Sequence, residues 1–128
     1  GKVTACTEGA ALYEADVKEL SSSAAIRSKG ALTIENMTVG VKSTGKGAKA
    51  INNVGDITLK NSLVTAVASG STYESNGLDS RSRGVTTDGN MTIDGGALFV
   101  RSYDNPLQVI GKLNFLNAAV YTAFEVGM

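Results

Sequence analysis

The chain has 128 residues, a length typical of one domain, and its twelve basic residues balance its twelve acidic ones. A chain without net charge lacks the basic face that nucleic acid requires, so we expect no nucleic-acid partner. No apolar run approaches the roughly 20 residues of a membrane-spanning helix, so we expect no membrane insertion. Histidine is absent, which excludes the usual serine and cysteine triads and zinc-protease sites.

The N-terminal part precedes a repeat that dominates the rest of the chain. We expect residues 1–5 to form a first, degenerate coil, and the single cysteine, Cys6, to be a small buried residue. Residues 8–23 lack the repeat pattern. We expect them to cap the end of the stack or to cross back over it, as a loop or with a short helix around residues 15–20.

The repeat begins with glycine and continues with alternating apolar residues. Its four copies start 25, 34 and 22 residues apart, at Gly30, Gly55, Gly89 and Gly111. The second and fourth residues after each glycine are apolar, and threonine or asparagine stands between them, which is the period of a strand with one buried face. Spacings of this length indicate a stacked, solenoid-like fold.

Each copy predicts a corner and two further strands. Asparagine or glycine follows the first strand, and both tolerate the left-handed backbone of a bend. These corner residues are Asn36, Asn61, Gly95 and Asn117. A second alternating strand follows the corner, and a third strand precedes the glycine, centred on Ile26, Ile51, Val85 and Leu107.

We therefore predict one all-β domain, residues 1–128, folded as a right-handed single-stranded parallel β-helix of about four to five three-strand coils. The alternative is a β-sandwich of short hairpins, which needs two-residue Asn-Gly turns between strands. A β-helix exposes a hydrogen-bonding edge at each end, and residues 125–128 offer no polar cap. Either the chain continues in the full protein, or another molecule covers this end, and the second case allows end-to-end self-association.

Residues 69–83 form a side insertion between a second and a third strand, and insertions in solenoids frequently carry binding sites. Stacking predicts that it lies beside residues 101–105 and near Lys46. Guanidinium groups pair with carboxylates and tyrosine offers a flat apolar face, so this flank suits an acidic or neutral polysaccharide. The candidate carbohydrate-binding residues are Tyr73, Glu74, Asp79, Arg81, Arg83, Arg101, Tyr103 and Asp104. The alternative is a solvated loop whose charges pair with each other.

An aromatic pair is predicted on the outward side of the second strand. Phe99 and Tyr121 occupy the same outward position in successive copies. An exposed pair of this kind can stack on a sugar ring. The alternative is that the pair packs under a terminal strand or against another molecule.

A second polar cluster is predicted at the corner before the repeat glycine. Asp56 and Asn90 hold the same position in successive copies, and Asp88 adjoins them. Two carboxylates with amide and backbone oxygens can bind calcium, which takes six to eight oxygen ligands. The alternative is ordinary turn chemistry, because Asp-Gly and Gly-Asp are common in turns.

Three segments resemble the repeat of a secreted family of calcium-containing, pectate-lyase-like β-helices that serve as carbohydrate-binding domains. They are residues 44–51 (TGKGAKAI), 55–61 (GDITLKN) and 87–96 (TDGNMTIDGG), and the resemblance covers roughly residues 28–123. It implies an extracellular or cell-surface protein that binds acidic polysaccharide, with calcium held at Asp56, Asp88 and Asn90. The chain departs from the family pattern in its low number of coils and in losing Asp-Gly from three of its four copies.

Three functions fit these observations. The first is a non-catalytic carbohydrate-binding module of a secreted or cell-surface protein. The second is a structural, adhesin-type β-helix module that stacks end to end with like domains. The third is a calcium-dependent polysaccharide lyase with Arg81, Arg83 or Arg101 as the base. The small number of coils, which makes a short cleft, and the absence of a column of aspartates argue against it.

Overall fold

The computed structural model describes residues 1–16 and 18–124, and residues 125–128 lie outside this part of the chain. All regular structure in the described residues is β-strand, and none of them belongs to a helix that could cross a membrane. The strands are β1 (Lys2–Thr7), β2 (Leu12–Glu14), β3 (Glu19–Ser21), β4 (Ala24–Ser28), β5 (Leu32–Glu35), β6 (Thr38–Ser43), β7 (Lys49–Asn53), β8 (Ile57–Ala68), β9 (Tyr73–Ser75), β10 (Leu78–Ser80), β11 (Arg83–Thr87), β12 (Met91–Ser102), β13 (Asn105–Val109), β14 (Leu113–Leu116) and β15 (Ala119–Phe124).

Most of these strands belong to two parallel sheets. The larger sheet contains β1, β5, β6, β8, β12, β14 and β15, and the smaller sheet contains β4, β7, β11 and β13. Along the chain, each strand of the smaller sheet is followed by strands of the larger one. The predicted all-β class and the parallel pairing between copies are therefore confirmed. Two antiparallel hairpins, β2–β3 and β9–β10, lie outside the predicted pattern.

The strands pair in the register that the repeat predicts. Leu32 lies opposite Ile57, Ile57 opposite Met91, and Met91 opposite Leu113. The smaller sheet aligns Ile26, Ile51, Val85 and Leu107 in the same way. Equivalent residues therefore form columns that run across the strands, with a step of ~4.8 Å from one strand to the next.

The predicted corners adopt the left-handed backbone. Asn36, Asn61 and Asn117 have φ angles of 55°, 46° and 50°, and Gly95 has 74°. The following residue, Gly96, has φ 78°, and a Cβ placed there would lie 2.1 Å from the carbonyl oxygen of Ser62. Only glycine fits at Gly96, because both the backbone angle and the neighbouring strand exclude a side chain.

The core consists of the inward columns between the two sheets. Its most buried large side chains are Ile51, Ile57, Leu59, Met91, Ile93 and Leu98. The same columns become exposed in the last strands, where Leu113 and Phe115 retain 36% and 52% of their accessible surface. These two side chains point inward like their equivalents, but no further strand of the described residues covers them.

The side insertion folds into the β9–β10 hairpin. Its turn residues, Asn76 and Gly77, have φ angles of 54° and 76°, the pattern of a type I′ turn. An Asn-Gly dipeptide between short strands is the standard sequence signal for this turn, so the hairpin could have been predicted. The β-sandwich alternative needs Asn-Gly turns between its strands. One such turn is present here, but it lies inside the insertion and does not connect the stacked strands.

β2 and β3 pair as an antiparallel hairpin, and residues 15, 16 and 18–20 are turn or strand where a short helix was considered; residue 17 lies outside the described residues. The hairpin sits on the flank next to the side insertion. The backbone N–H of Tyr13 donates to the Tyr73 hydroxyl oxygen at 3.3 Å, and that of Ala11 donates to the Lys46 carbonyl at 2.7 Å. The two hairpins therefore support each other.

The expectation that Cys6 is buried is wrong. Cys6 is an exposed free thiol on β1, opposite the exposed Lys42 of β6. Successive residues of a strand point to opposite faces, and the inward position next to it belongs to Ala5, which packs against the core. Cys6 therefore faces solvent.

The corner predicts a large difference between two glycine-to-alanine changes. Gly96→Ala forces a side chain into a left-handed position against Ser62, and we expect it to lower the free energy of unfolding by about 2 kcal/mol or more. Gly40→Ala is the matched control, since no atom lies within 4 Å of a Cβ placed at Gly40. Urea unfolding of the two variants measures this difference, and equal stabilities would contradict it.

Candidate functional site

Three predicted residues of the flank meet in one charge network. The Arg81 guanidinium lies 3.4 Å from an Asp79 carboxylate oxygen and 3.8 Å from one of Asp104. Asp104, whose side chain is only 10% exposed, also accepts a hydrogen bond of 3.1 Å from the Thr72 hydroxyl. The network therefore ties both ends of the insertion to the turn after β12, and its charges pair with each other as the alternative interpretation held.

Tyr73 and Glu74 have separate positions on the hairpin. The Tyr73 hydroxyl contacts Tyr13 and so joins the two hairpins. Glu74 is exposed and lies directly opposite Asp79, so two carboxylates face each other across the hairpin. Like charges in this position are mildly destabilising. Arg81, which pairs with Asp79, offsets part of that repulsion.

A buried lysine that the sequence did not single out holds the side hairpin in place. The Lys49 ammonium donates to the Ser80 hydroxyl at 3.2 Å and to the carbonyls of Gly47 and Arg81 at 3.3 and 3.4 Å. The Ser80 hydroxyl donates to the same Gly47 carbonyl at 2.9 Å. Lys49 is the first residue of β7, and two of its three partners, Ser80 and Arg81, belong to the folded insertion, so the repeat pattern alone could not indicate these contacts.

The cations under the hairpin are close enough to affect one another. Burial, and after it the charges of Arg83 and Arg27, lower the pKa of Lys49 to about 8. Burial and the charge of Arg81 lower the pKa of Arg83, while Asp104 and Asp79 act in the opposite sense. Arg83, which is also one of the predicted carbohydrate-binding residues, is therefore half-buried beside Lys49 under the hairpin.

Lys49 predicts a pH-dependent contribution to stability. Its pKa is about 8 in the folded chain and 10.5 when exposed, so between these values the unfolded chain binds the extra proton and the free energy of unfolding rises with pH. The free energy of unfolding rises by at most about 3 kcal/mol between pH 8 and pH 10.5. Below pH 8 the buried ammonium is charged in both states, and its burial destabilises the fold by the full amount.

Chemical denaturation from pH 7 to 10.5 checks this, with Lys49→Met as the control that lacks the titrating group. The stability of the natural chain relative to the variant should increase across this range. Contributions that are common to both proteins cancel in the difference. Two curves that stay parallel would show that Lys49 has an ordinary pKa.

Arg101 and Tyr103 lie on a different surface, the outward face of the larger sheet. With Lys42, Val67 and Ser69 they line a groove of about 240 Å³. Lys42, Val67 and Arg101 form one outward column on β6, β8 and β12. Val67 is shorter than the lysine and the arginine on either side of it, so a depression lies between the two positively charged side chains. The predicted carbohydrate-binding residues are therefore divided between this face and the flank.

The predicted aromatic pair lies beside this groove. The rings of Phe99 and Tyr121 stack with their centroids 4.8 Å apart and their planes 7° from parallel. They are 39% and 57% exposed, so no terminal strand of the described residues covers them. A second groove of about 280 Å³ runs along the pair and is lined on its other side by Val67 and Arg101.

We call the two adjoining concavities the outer groove. Its lining residues are Lys42, Thr65, Val67, Ser69, Phe99, Arg101, Tyr103, Tyr121 and Ala123. It combines two stacked aromatic rings, a phenol, a guanidinium and an ammonium, and it contains no carboxylate among these residues. Such a surface can stack on an apolar ring and pair with an anionic group at the same time.

The residues predicted to hold calcium form a ladder of hydrogen bonds. An Asp56 carboxylate oxygen accepts the backbone N–H of Asn90 at 2.9 Å, and the Asn90 amide oxygen accepts that of Lys112 at 2.9 Å. Asp88 is exposed beside them. Within the described residues, no three or more acidic, cysteine or histidine side chains come together as a metal site. The ladder gives Asp56 and Asn90 a structural role that the sequence analysis did not foresee.

Comparison of the chain with protein-family models, with curated proteins and with solved structures finds no significant match. The resemblance to pectate-lyase-like domains therefore stays a prediction from the repeat. Function has to be argued from the outer groove and the flank themselves.

Proposed function

We propose that the chain winds as a right-handed parallel β-helix and acts as a non-catalytic carbohydrate-binding module of an exported protein. The regular alternation between the two parallel sheets supports the β-helix, because one strand of the smaller sheet precedes each copy in the larger sheet. A right-handed path follows the general rule for crossovers between parallel strands. We assign no catalytic residue.

The observation that carries the carbohydrate proposal is the exposed Phe99–Tyr121 stack beside Arg101. Aromatic rings on a rigid strand offer a flat apolar surface without a large entropic cost, and a pyranose ring has an apolar face of comparable size. Arg101 lies within reach of the same groove, and a guanidinium pairs bidentately with a carboxylate. An acidic polysaccharide that lies in the outer groove satisfies both features.

The flank contributes to the proposal as the border of the groove. Tyr103 lines the groove, and the next residue, Asp104, belongs to the Arg81 network. The hairpin therefore fixes the backbone that carries Tyr103. Calcium at Asp56, Asp88 and Asn90 remains part of the proposal, although two of these side chains already accept backbone N–H groups.

Binding to polygalacturonate and to an uncharged glucan, each measured in calcium and in chelator, tests this function. We expect Tyr121→Ala to weaken binding to polygalacturonate about tenfold, which corresponds to about 1.4 kcal/mol, because it removes half of the aromatic surface. Leu116→Ala is the control, since Leu116 is equally exposed but lies outside the groove. Binding that is seen in calcium and lost in chelator would show that calcium is required. Absence of binding to either polymer would overturn the proposal.

Arg101→Gln separates charge recognition from ring stacking. The change keeps most of the side-chain length but removes the positive charge, so affinity for polygalacturonate should fall about tenfold and become less sensitive to salt. Weak binding of the uncharged glucan should not change. Isothermal titration at low and high salt measures both quantities, and an equal loss for both polymers would contradict a carboxylate contact.

A structural surface module is the second candidate, and the exposed apolar residues of the last strands favour it. Ile110, Leu113 and Phe115 are 62%, 36% and 52% exposed. A second copy that stacks on this end would cover them. Sedimentation at increasing concentration tests this: association in a chain that retains no glycan would support the structural module over the binding module.

A further inference from the structure

The column that carries the two stacked rings continues across two strands on which its residues are small. Tyr121 stands on β15 and Phe99 on β12. In the same register, Thr65 on β8 and Gly40 on β6 occupy the next two positions. Thr65 is exposed, and no atom lies within 4 Å of a Cβ placed at Gly40. The space above Thr65, where the ring column ends, is therefore open.

The Phe99 ring has a second face that is turned away from Tyr121. The two rings are nearly parallel, and the 4.8 Å between their centroids is about the spacing of adjacent strands. Each ring therefore covers one face of the other, and the opposite face of Phe99 is directed along the column toward Thr65. Threonine is too short to cover a phenyl ring. A planar group above Thr65 would continue the stack by one strand step, at a distance that aromatic pairs favour.

Two aliphatic side chains of β8 flank this position. Leu63 precedes Thr65 by two residues and Val67 follows it by two, so all three side chains point to the same outward face. Leu63 is exposed, and Val67 is half-buried in the outer groove. We call this space the ring slot and define it by Gly40, Leu63, Thr65, Val67 and Phe99. Because its sides are apolar, it favours a flat uncharged ring.

Positive charge lies at one end of the ring slot. Lys42 and Arg101 stand on either side of Val67 in one column. No carboxylate lines either cavity of the outer groove. An anionic group above Val67 would lie between the ammonium and the guanidinium, both of which form charge-assisted hydrogen bonds. This point is about 6.7 Å along the strand from the ring position above Thr65, because two residues separate them.

We propose that the ring slot binds an aromatic carboxylate of the arylpropenoate class, in which a rigid two-carbon spacer joins a planar ring to the carboxylate. The ring stacks on Phe99 above Thr65, and the carboxylate lies between Lys42 and Arg101. A carboxylate bonded directly to the ring, as in benzoate, ends before it reaches the position between the two cations. This ligand class differs from the polysaccharide proposed above, so the inference does not rest on carbohydrate binding.

Titration of the intact chain with cinnamate, followed by methyl NMR and calorimetry, tests the proposal. The ring current of a phenyl group stacked above Thr65 should shift the resonance of its methyl group upfield. This shift should saturate at concentrations up to about 10 mM, an affinity within reach of so small a ligand. Benzoate lacks the spacer and cinnamamide lacks the charge, so each should bind at least about fivefold more weakly.

Thr65→Phe is the decisive protein variant. Its new ring would fill the slot by continuing the stack on Phe99, so calorimetry should detect no binding of cinnamate. The fold should be retained, because Thr65 is exposed. Thr33→Phe is the matched control, since it makes the same change at an exposed strand position that does not line the outer groove. Circular dichroism checks that both variants are folded.

Lys42→Gln tests the charged end of the slot. The change removes the ammonium, so cinnamate should bind about fivefold more weakly, whereas the weak binding of cinnamamide should not change. Lys60→Gln is the control, because Lys60 is an exposed lysine that pairs with Glu35 and does not line the outer groove.

Three results would overturn the proposal. They are the absence of an upfield shift of the Thr65 methyl resonance, undiminished binding of cinnamate by Thr65→Phe, and equal affinities for cinnamate and cinnamamide. Shifts confined to methyl groups outside the ring slot would place the ligand in another cavity and would also contradict it. These titrations contain no polysaccharide, so their outcome is independent of the test of carbohydrate binding.

Discussion

The close contact between backbones at the repeat glycine is the constraint on which the rest of the structure depends. The nearest atom of the preceding copy would lie 2.6, 2.6 and 2.3 Å from a Cβ placed at Gly55, Gly89 and Gly111. The chain therefore has to pass this point without a side chain. Every strand that follows begins in the same register, because a shift by one residue would turn its apolar face outward.

Because the register is fixed, residues at equivalent positions of successive copies form columns on the surface of the larger sheet. Once Thr65, Phe99 and Tyr121 share a column, the aromatic rings have to stack at about the strand spacing, and the shorter Thr65 ends the stack. The next outward column places Lys42 and Arg101 two strands apart, which is ~10 Å. Neither surface requires a special loop, so the outer groove follows from the order of residues in successive copies.

The stacked part of the fold could be predicted because its signals are local. The left-handed asparagines at 36, 61 and 117 and the column Leu32–Ile57–Met91–Leu113 follow from residue type and period alone. The flank could not be predicted in this way, since the contacts of Lys49 depend on where residues 69–83 pack against the stacked strands. Asp56 was equally ambiguous, because a turn aspartate, a calcium ligand and an acceptor for the next backbone N–H look identical in sequence.

Rigidity explains why the outer groove can bind without reorganising. Phe99 and Arg101 stand on β12, which pairs on both sides with parallel strands. A ligand that meets fixed groups loses its own freedom but does not have to order the protein. The groove is built from outward columns alone, so a ligand in it leaves the packed core undisturbed. A polymer that carries both apolar ring faces and anionic groups matches the aromatic pair and the two cations of this groove.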